Sequence, residues 1–123
     1  MADKSAVVLV IDDEPAVLVI TVARLCRAGY TVLEAISGEE GVRILESRED
    51  IAAIVSDCNM PGMRGTELAQ IARSRWPRIG FIATSGRPAD PDLPGEAAFI
   101  QKPYRAAALI STLEGMLPYR TAA

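Results

Sequence analysis

The side chains with the most chemical potential in this chain each close an apolar run. Asp12 and Asp13 stand side by side after residues 6–11 (AVVLVI), and Asp57 follows residues 51–56 (IAAIVS). Ser85 follows residues 79–84 (IGFIAT), and Lys102 comes just after the short stretch 97–100 (AAFI). Carboxylates drawn together repel one another and stay ionised only if something offsets the charge. A hard dication does so. Mg²⁺ (or Mn²⁺) prefers oxygen ligands, takes one or two carboxylates, and leaves positions for water and phosphate oxygens. The Lys102 ammonium is a second counter-charge, and the Ser85 hydroxyl is a neutral donor. A metal, an ammonium and a hydroxyl around an ionised carboxylate are the parts needed to bring a phosphoryl group onto Asp57.

Those residues must be positioned by the elements they terminate. The runs before Asp12, Asp57 and Ser85 lack polar alternation, as strands buried on both faces do. Residues 31–36 form one more strand, and residues 97–100 a short fifth. Helical segments alternate with them. Pro15 sits well at a helix start, and Gly29 marks that helix's end. Ser37 and Glu40 have capping-box spacing, with Val42, Ile44 and Leu45 behind them on the apolar face. Residues 66–76 carry Leu68, Ile71 and Ala72 at helical spacing before Pro77, with Trp76 packing beneath. Residues 104–117 repeat Leu109, Leu113 and Leu117. Alternating strands and helices predict an α/β fold with a doubly wound parallel sheet. In such a sheet function gathers beyond the carboxyl ends of the strands, where all five residues fall. Residues 58–65 form a turn-rich loop at that edge.

Composition removes competing chemistries. The 123 residues include no His, which excludes histidine acid–base catalysis, histidine-dependent nucleophiles and His-containing zinc sites. Thirteen Lys and Arg against sixteen Asp and Glu give a net charge of −3, a poor basis for binding nucleic acid directly. Half of the residues are apolar and 24% are charged, which suits one globular domain over 1–123 with a core at about 5–117. No effector domain is expected, and the first few and last residues (Tyr119 to Ala123) are expected to fray. Cys26 and Cys58 form no CxxC and are expected as reduced, part-buried thiols. Carboxylates near Cys58 raise its pKa, against a redox role. No signal peptide opens the chain, and no apolar run reaches the roughly 18 residues of a membrane span. The expectation is a cytoplasmic protein without membrane contact.

Four stretches resemble the receiver domain of two-component response regulators: VLVIDDEP (residues 8–15), VSDCNMPGMRG (55–65), TSG (84–86) and FIQKPY (99–104). The resemblance covers about residues 5–117. It implies a flavodoxin-like (βα)5 fold with strand order 2-1-3-4-5 and Asp57 as phosphoacceptor. It implies that Asp13 binds Mg²⁺ directly, that Asp12 helps, and that the main-chain carbonyl of Asn59 completes the protein ligands. Ser85 falls on the hydroxyl switch, Phe99 on the aromatic switch, and Lys102 on the site lysine. Asn59 and Arg87 fall on positions that tune phosphoryl lifetime. A histidine kinase or histidine phosphotransfer protein is the implied partner, and the receiver itself is a signalling module, monomeric or weakly dimeric.

Other function classes fit less well. An aspartate-nucleophile phosphatase carries Asp-x-Asp, whereas Asn59 stands in the second place and cannot serve as acid or base. A nucleotide-binding module wants a glycine-rich loop where Asp12-Asp13-Glu14 stands. A phosphorylation-independent scaffold, or a receiver piece of a hybrid histidine kinase, remains the alternative. On the first helix, Val17, Ile20, Thr21 and Leu25 are expected to face the sheet. Leu18, Val19 and Val22 are then expected to point outward as a docking patch, joined by Pro103 and Tyr104. Family members have a helix between the fourth and fifth strands. Here residues 86–96 contain Pro88, Pro91 and Pro94, each costing a helix interior roughly 3 kcal/mol. A loop with at most one short turn is expected in its place.

Overall fold

The computed structural model describes residues 6–117; the termini expected to fray lie outside the described residues. The elements are β1 (Val7–Ile11), α1 (Pro15–Arg27), β2 (Thr31–Ala35), α2 (Gly38–Ser47), β3 (Ile51–Asp57), α3 (Gly65–Arg75), β4 (Gly80–Ser85), β5 (Ala98–Gln101) and α4 (Ala106–Met116). All four strand pairings are parallel, in the order β2-β1-β3-β4-β5. This is the flavodoxin-like sheet expected from the alternation.

Successive residues of a strand face opposite sides, and both sides of β1 are apolar. Val8 and Val10 join Ala53, Val55 and Ile82 under α1 and α4, where Leu18, Leu25, Leu109 and Leu113 cover them. Leu9 and Ile11 join Ile54, Phe81 and Ala83 under α2 and α3, where Leu45, Leu68 and Ala72 cover them. Helix ends follow local chemistry. Pro15 opens α1, and Gly29 after it adopts φ 101°, open to glycine at little cost. The Ser37 hydroxyl accepts from the Glu40 amide at 3.1 Å, while the Glu40 carboxylate returns to the amide of Ile36 at 2.9 Å rather than to Ser37 itself. Trp76 caps α3 half-buried against the core, with the Arg75 guanidinium 4.4 Å from its ring centroid.

Three expectations concern less regular parts. Residues 86–97 form no helix; isolated turns close from Leu93 N to Asp90 O and from Ala97 N to Pro94 O, 3.0 Å each. The prolines act as expected. On α1 the phase differs. Leu18 is buried (4% exposed) with Thr21 and Leu25, whereas Ile20 is 51% exposed and Val19 66%. An outward Leu18 is therefore corrected: a helix with apolar residues from Val17 to Val22 has no sharp polar boundary to set its rotation. Thr21 tolerates burial because its hydroxyl donates to Val17 O at 3.0 Å. Cys26 is also corrected, from part-buried to exposed.

Candidate functional site

At the carboxyl edge of the sheet, backbone bonds hold Asp12 and the segment at Asp57. The Asp12 amide donates to Ala35 O at 3.1 Å, extending the β1–β2 ladder one step beyond β1. Its Oδ1 accepts from the Glu14 amide at 2.9 Å. Asp57 ends β3 opposite Thr84, and the Cys58 amide continues the ladder to Thr84 O at 2.9 Å. Lys102 is placed the same way, its amide donating to Ser85 O at 2.7 Å, and its bond to Pro103 is cis. The site therefore rests on the carboxyl ends of β1, β3 and β4, the buried strands, and of the edge strand β5.

One carboxylate oxygen from each of Asp12, Asp13 and Asp57 lies within 4.8 Å of the others. Asp12 and Asp57 are buried and Asp13 half-buried. The Lys102 ammonium lies 3.5 Å from Asp12 Oδ2 and 3.7 Å from Asp57 Oδ1, bridging the two. Burial pushes the Asp12 carboxyl above the usual carboxylate range, and the Asp57 charge adds to this. The Glu14 amide and Lys102 pull the other way without overcoming it. Three carboxylates thus face one ammonium, in a pocket where Asp12 resists ionisation. Such an all-oxygen, charge-deficient set fits a small hard dication, whose charge would relieve the repulsion.

The neutral groups form a second cluster beside the first. The Asn59 side-chain amide donates to Ser85 Oγ at 2.7 Å, and the Arg87 main-chain N–H donates to the same oxygen at 3.0 Å. The Asn59 main-chain N–H donates to Asp57 Oδ1 at 3.3 Å. Gly65 allows this loop to turn back on itself: a Cβ there would lie 2.5 Å from Cys58 Cα and 2.9 Å from Asp57 O, so the backbone would have to move. A cavity of about 520 Å³ opens next to these groups, with Phe99, Ser85, Asn59, Arg64 and Asp90 among its walls. Cys58 also lines it, its thiol pushed up to about 11 by burial first and then by Asp57 and Asp90. That agrees with an inert cysteine.

The structure therefore brings Asp12, Asp13, Asp57 and Lys102 into one cluster, with Asn59, Ser85 and the Arg87 main chain adjoining. Phe99 is half-buried and packs against the core under α3. Pro103 is exposed and Tyr104 half-buried, where Tyr104 helps line a cavity of about 480 Å³ with Lys102, Val17 and Ile20. Of the expected α1 patch, Val19 is exposed and Val22 half-buried, while Leu18 belongs to the core. Sequence reasoning missed Arg64 and Asp90, which form an ion pair at 3.3 Å in the lining of the 520 Å³ cavity. An available signal was Arg64 itself, a guanidinium at a helix N-cap, where Asp, Asn, Ser or Thr is usual.

Among the described residues, no helix is long and apolar enough to cross a membrane. The family model for the response regulator receiver domain matches residues 8–114. Over 119 residues, 92% of this chain, it is 40% identical to the sensor kinase CckA of Brucella abortus. It is 33% identical to a chemotaxis protein CheY homolog of Campylobacter jejuni, over 89% of this chain and 90% of the relative. A response regulator receiver domain protein of Methanospirillum hungatei superimposes with TM-score 0.83 at 28% identity, covering 89% of this chain and 91% of the other. The chain spans 13% of the length of CckA and 27% of the transcriptional regulatory protein GlrR of Escherichia coli, another relative.

Proposed function

The chain belongs to the response regulator receiver family, and from that premise we propose that it is a phosphoacceptor switch working through Asp57. The single observation that carries this reading is the cluster of Asp12, Asp13 and Asp57 bridged by the Lys102 ammonium at 3.5 and 3.7 Å. A histidine kinase or histidine phosphotransfer protein is the donor. An Asp57 carboxylate oxygen attacks phosphorus in line. A P–O bond forms as the P–N bond to the donor imidazole breaks, and the electron pair leaves on the imidazole nitrogen. Attack by water later reverses the modification and releases inorganic phosphate.

Asp12, Asp13 and Asp57, with the main-chain carbonyl of Asn59, would hold Mg²⁺, which when bound supplies positive charge for the phosphoryl oxygens. Lys102 supplies a second positive charge at the phosphoryl group. Ser85 is the hydroxyl donor, and its movement passes the change to Phe99 and to the loop that follows. Asn59 and Arg87 set how water reaches the product. Val19, Ile20, Pro103 and Tyr104 form the outer surface near the site that a partner would meet.

The test is intact mass after incubation with acetyl phosphate or a phosphoramidate, with and without Mg²⁺. One phosphoryl adduct is expected with Mg²⁺, none in EDTA, and none in Asp57→Asn. An adduct that persists in Asp57→Asn, or that ignores EDTA, overturns the assignment. An unreactive wild-type chain would leave the scaffold reading in its place.

A further inference from the structure

The loop that stands in place of a helix is fastened to α3 in a regular way. Arg64 stands at the N-cap of α3, and Gln70 and Arg73, three residues apart, are neighbours farther along the helix. Their partners run in the same order along the loop. Arg64 Nη2 meets Asp90 Oδ2 at 3.3 Å, Gln70 Nε2 donates to Asp92 O at 3.0 Å, and Arg73 Nε meets Glu96 Oε2 at 3.1 Å. The first of these fastenings differs from the others. Arg64 ends the loop that leaves Asp57, and Asp90 lies five residues beyond Ser85 on the loop that leaves β4. Between them, the Asn59 amide is already bonded to Ser85 Oγ. The ion pair therefore closes a ring through both loops around the hydroxyl.

Asp90 is itself held for this task. Its Oδ1 accepts from the Asp92 amide at 2.9 Å, which leaves Oδ2 for Arg64. The ring has a chemical consequence for Ser85. A hydroxyl oxygen accepts two hydrogen bonds and donates one. Both acceptor positions of Ser85 Oγ are taken, by Asn59 Nδ2 and by Arg87 N. Its proton is left as the single free valence, and Ser85 can act only as a donor while the two loops stay together.

We infer that the Arg64–Asp90 ion pair is a positioning element for phosphorylation at Asp57, holding the two loops so that Ser85 is presented as a hydrogen-bond donor. This rests on the phosphoacceptor reading above. Arg64 and Asp90 touch no reacting atom; they act through Asn59 and Ser85. Arg64 is suited to such a test because the guanidinium cannot accept from the first amides of α3. Replacing it with Asp breaks the pair yet supplies a better N-cap, so the helix is not weakened.

The experiment measures the initial rate of Mg²⁺-dependent adduct formation from acetyl phosphate, by intact mass, at low and high ionic strength. Wild type is measured first: no adduct there overturns the phosphoacceptor reading and this inference with it, while reactivity there makes the variants a test of the pair alone. Arg64→Asp, and Asp90→Asn, which keeps an acceptor for the Asp92 amide, are expected to be about threefold slower at low salt, the scale of one exposed ion pair. That gap should close at high salt, because screening removes the pair from wild type as well. The double change, Arg64→Asp with Asp90→Asn, should be no slower than the slower single change, because either one already removes the pair. Variants as fast as wild type at low salt, a gap that persists unchanged at high salt, or single effects that simply multiply in the double change would each overturn the inference.

Discussion

On one face of the sheet, α1 and α4 press Leu18, Leu25, Leu109 and Leu113 onto Val8, Val10, Val55 and Ile82, all of them buried. On the other face, α2 and α3 do the same over β1 and β3, but the cover beside α3 is the segment 86–97. That segment contributes Leu93 and Ala97 to the core and is otherwise fastened by Arg64–Asp90, Gln70–Asp92 and Arg73–Glu96. The helices on both faces are held by burial, which is lost only by unfolding. The segment beside α3 is instead fastened largely by exposed polar bonds of small individual worth. The acidic cluster sits at the carboxyl edge of the sheet, near both the packed α1 side and this fastened loop. The proposed switch would draw on that difference, because a loop held by exposed bonds costs less to move than a helix packed as α1 is.

The largest effect should come from the apolar face. Leu25 is fully buried between α1 and the sheet. Leu25→Ala is expected to cost about 2–5 kcal/mol, the range for deleting a buried leucine side chain. Urea unfolding followed by circular dichroism reads this as a lower midpoint at unchanged slope. A cost below about 1 kcal/mol would mean that α1 is not held by burial, and the comparison would fail at its firmer side.

The polar fastening of the loop should respond far less. In the Arg73–Glu96 pair the side chains are 61% and 67% exposed. Arg73→Ala should therefore change global stability by under about 1 kcal/mol. Amide exchange should nonetheless quicken in residues 92–97 while β4 keeps its protection. An equal loss of protection in β4 would show that the loop and the sheet open together, as one cooperative unit.

Much of this was legible before the structure. The parallel sheet followed from short apolar runs, each closed by polar or turn residues, alternating with longer helical segments, as strands buried on both faces do. Placing Asp12, Asp57, Ser85 and Lys102 at strand ends then followed from topology alone. Pro88, Pro91 and Pro94 excluded a helix by a local steric rule that tertiary packing does not reverse. The rotation of α1 was not legible, since Val17 to Val22 offers almost continuous apolar residues and Thr21 hides its hydroxyl on a backbone carbonyl. The Arg64–Asp90 pair was not legible either. It joins two irregular loops 26 residues apart, and no period relates side chains across such loops.

The smallest effect at neutral pH belongs to Tyr30, on the firmer face. Its ring is buried with Val8, Leu25 and Leu113, and its hydroxyl is the one buried side-chain polar atom without a hydrogen-bond partner among the described residues. Burial, and next the charge of Glu114, push its pKa above the usual tyrosine value. Removing a buried hydroxyl that has no partner gives up no bond and sheds a desolvation cost, so Tyr30→Phe should be neutral or stabilising by up to about 1 kcal/mol at pH 7. The alkaline limb separates the two proteins. The folded state resists ionising Tyr30, whereas the unfolded chain ionises it near its ordinary value of about 10. The contribution of the neutral phenol is thus fully present below about pH 10 and is lost as pH rises through the higher folded-state value. Wild type should lose stability above pH 10 more steeply than Tyr30→Phe, measured by urea midpoints at successive pH values. Parallel curves through pH 11 would mean that the phenol ionises as readily in the fold as out of it, and that this part of the apolar face admits water.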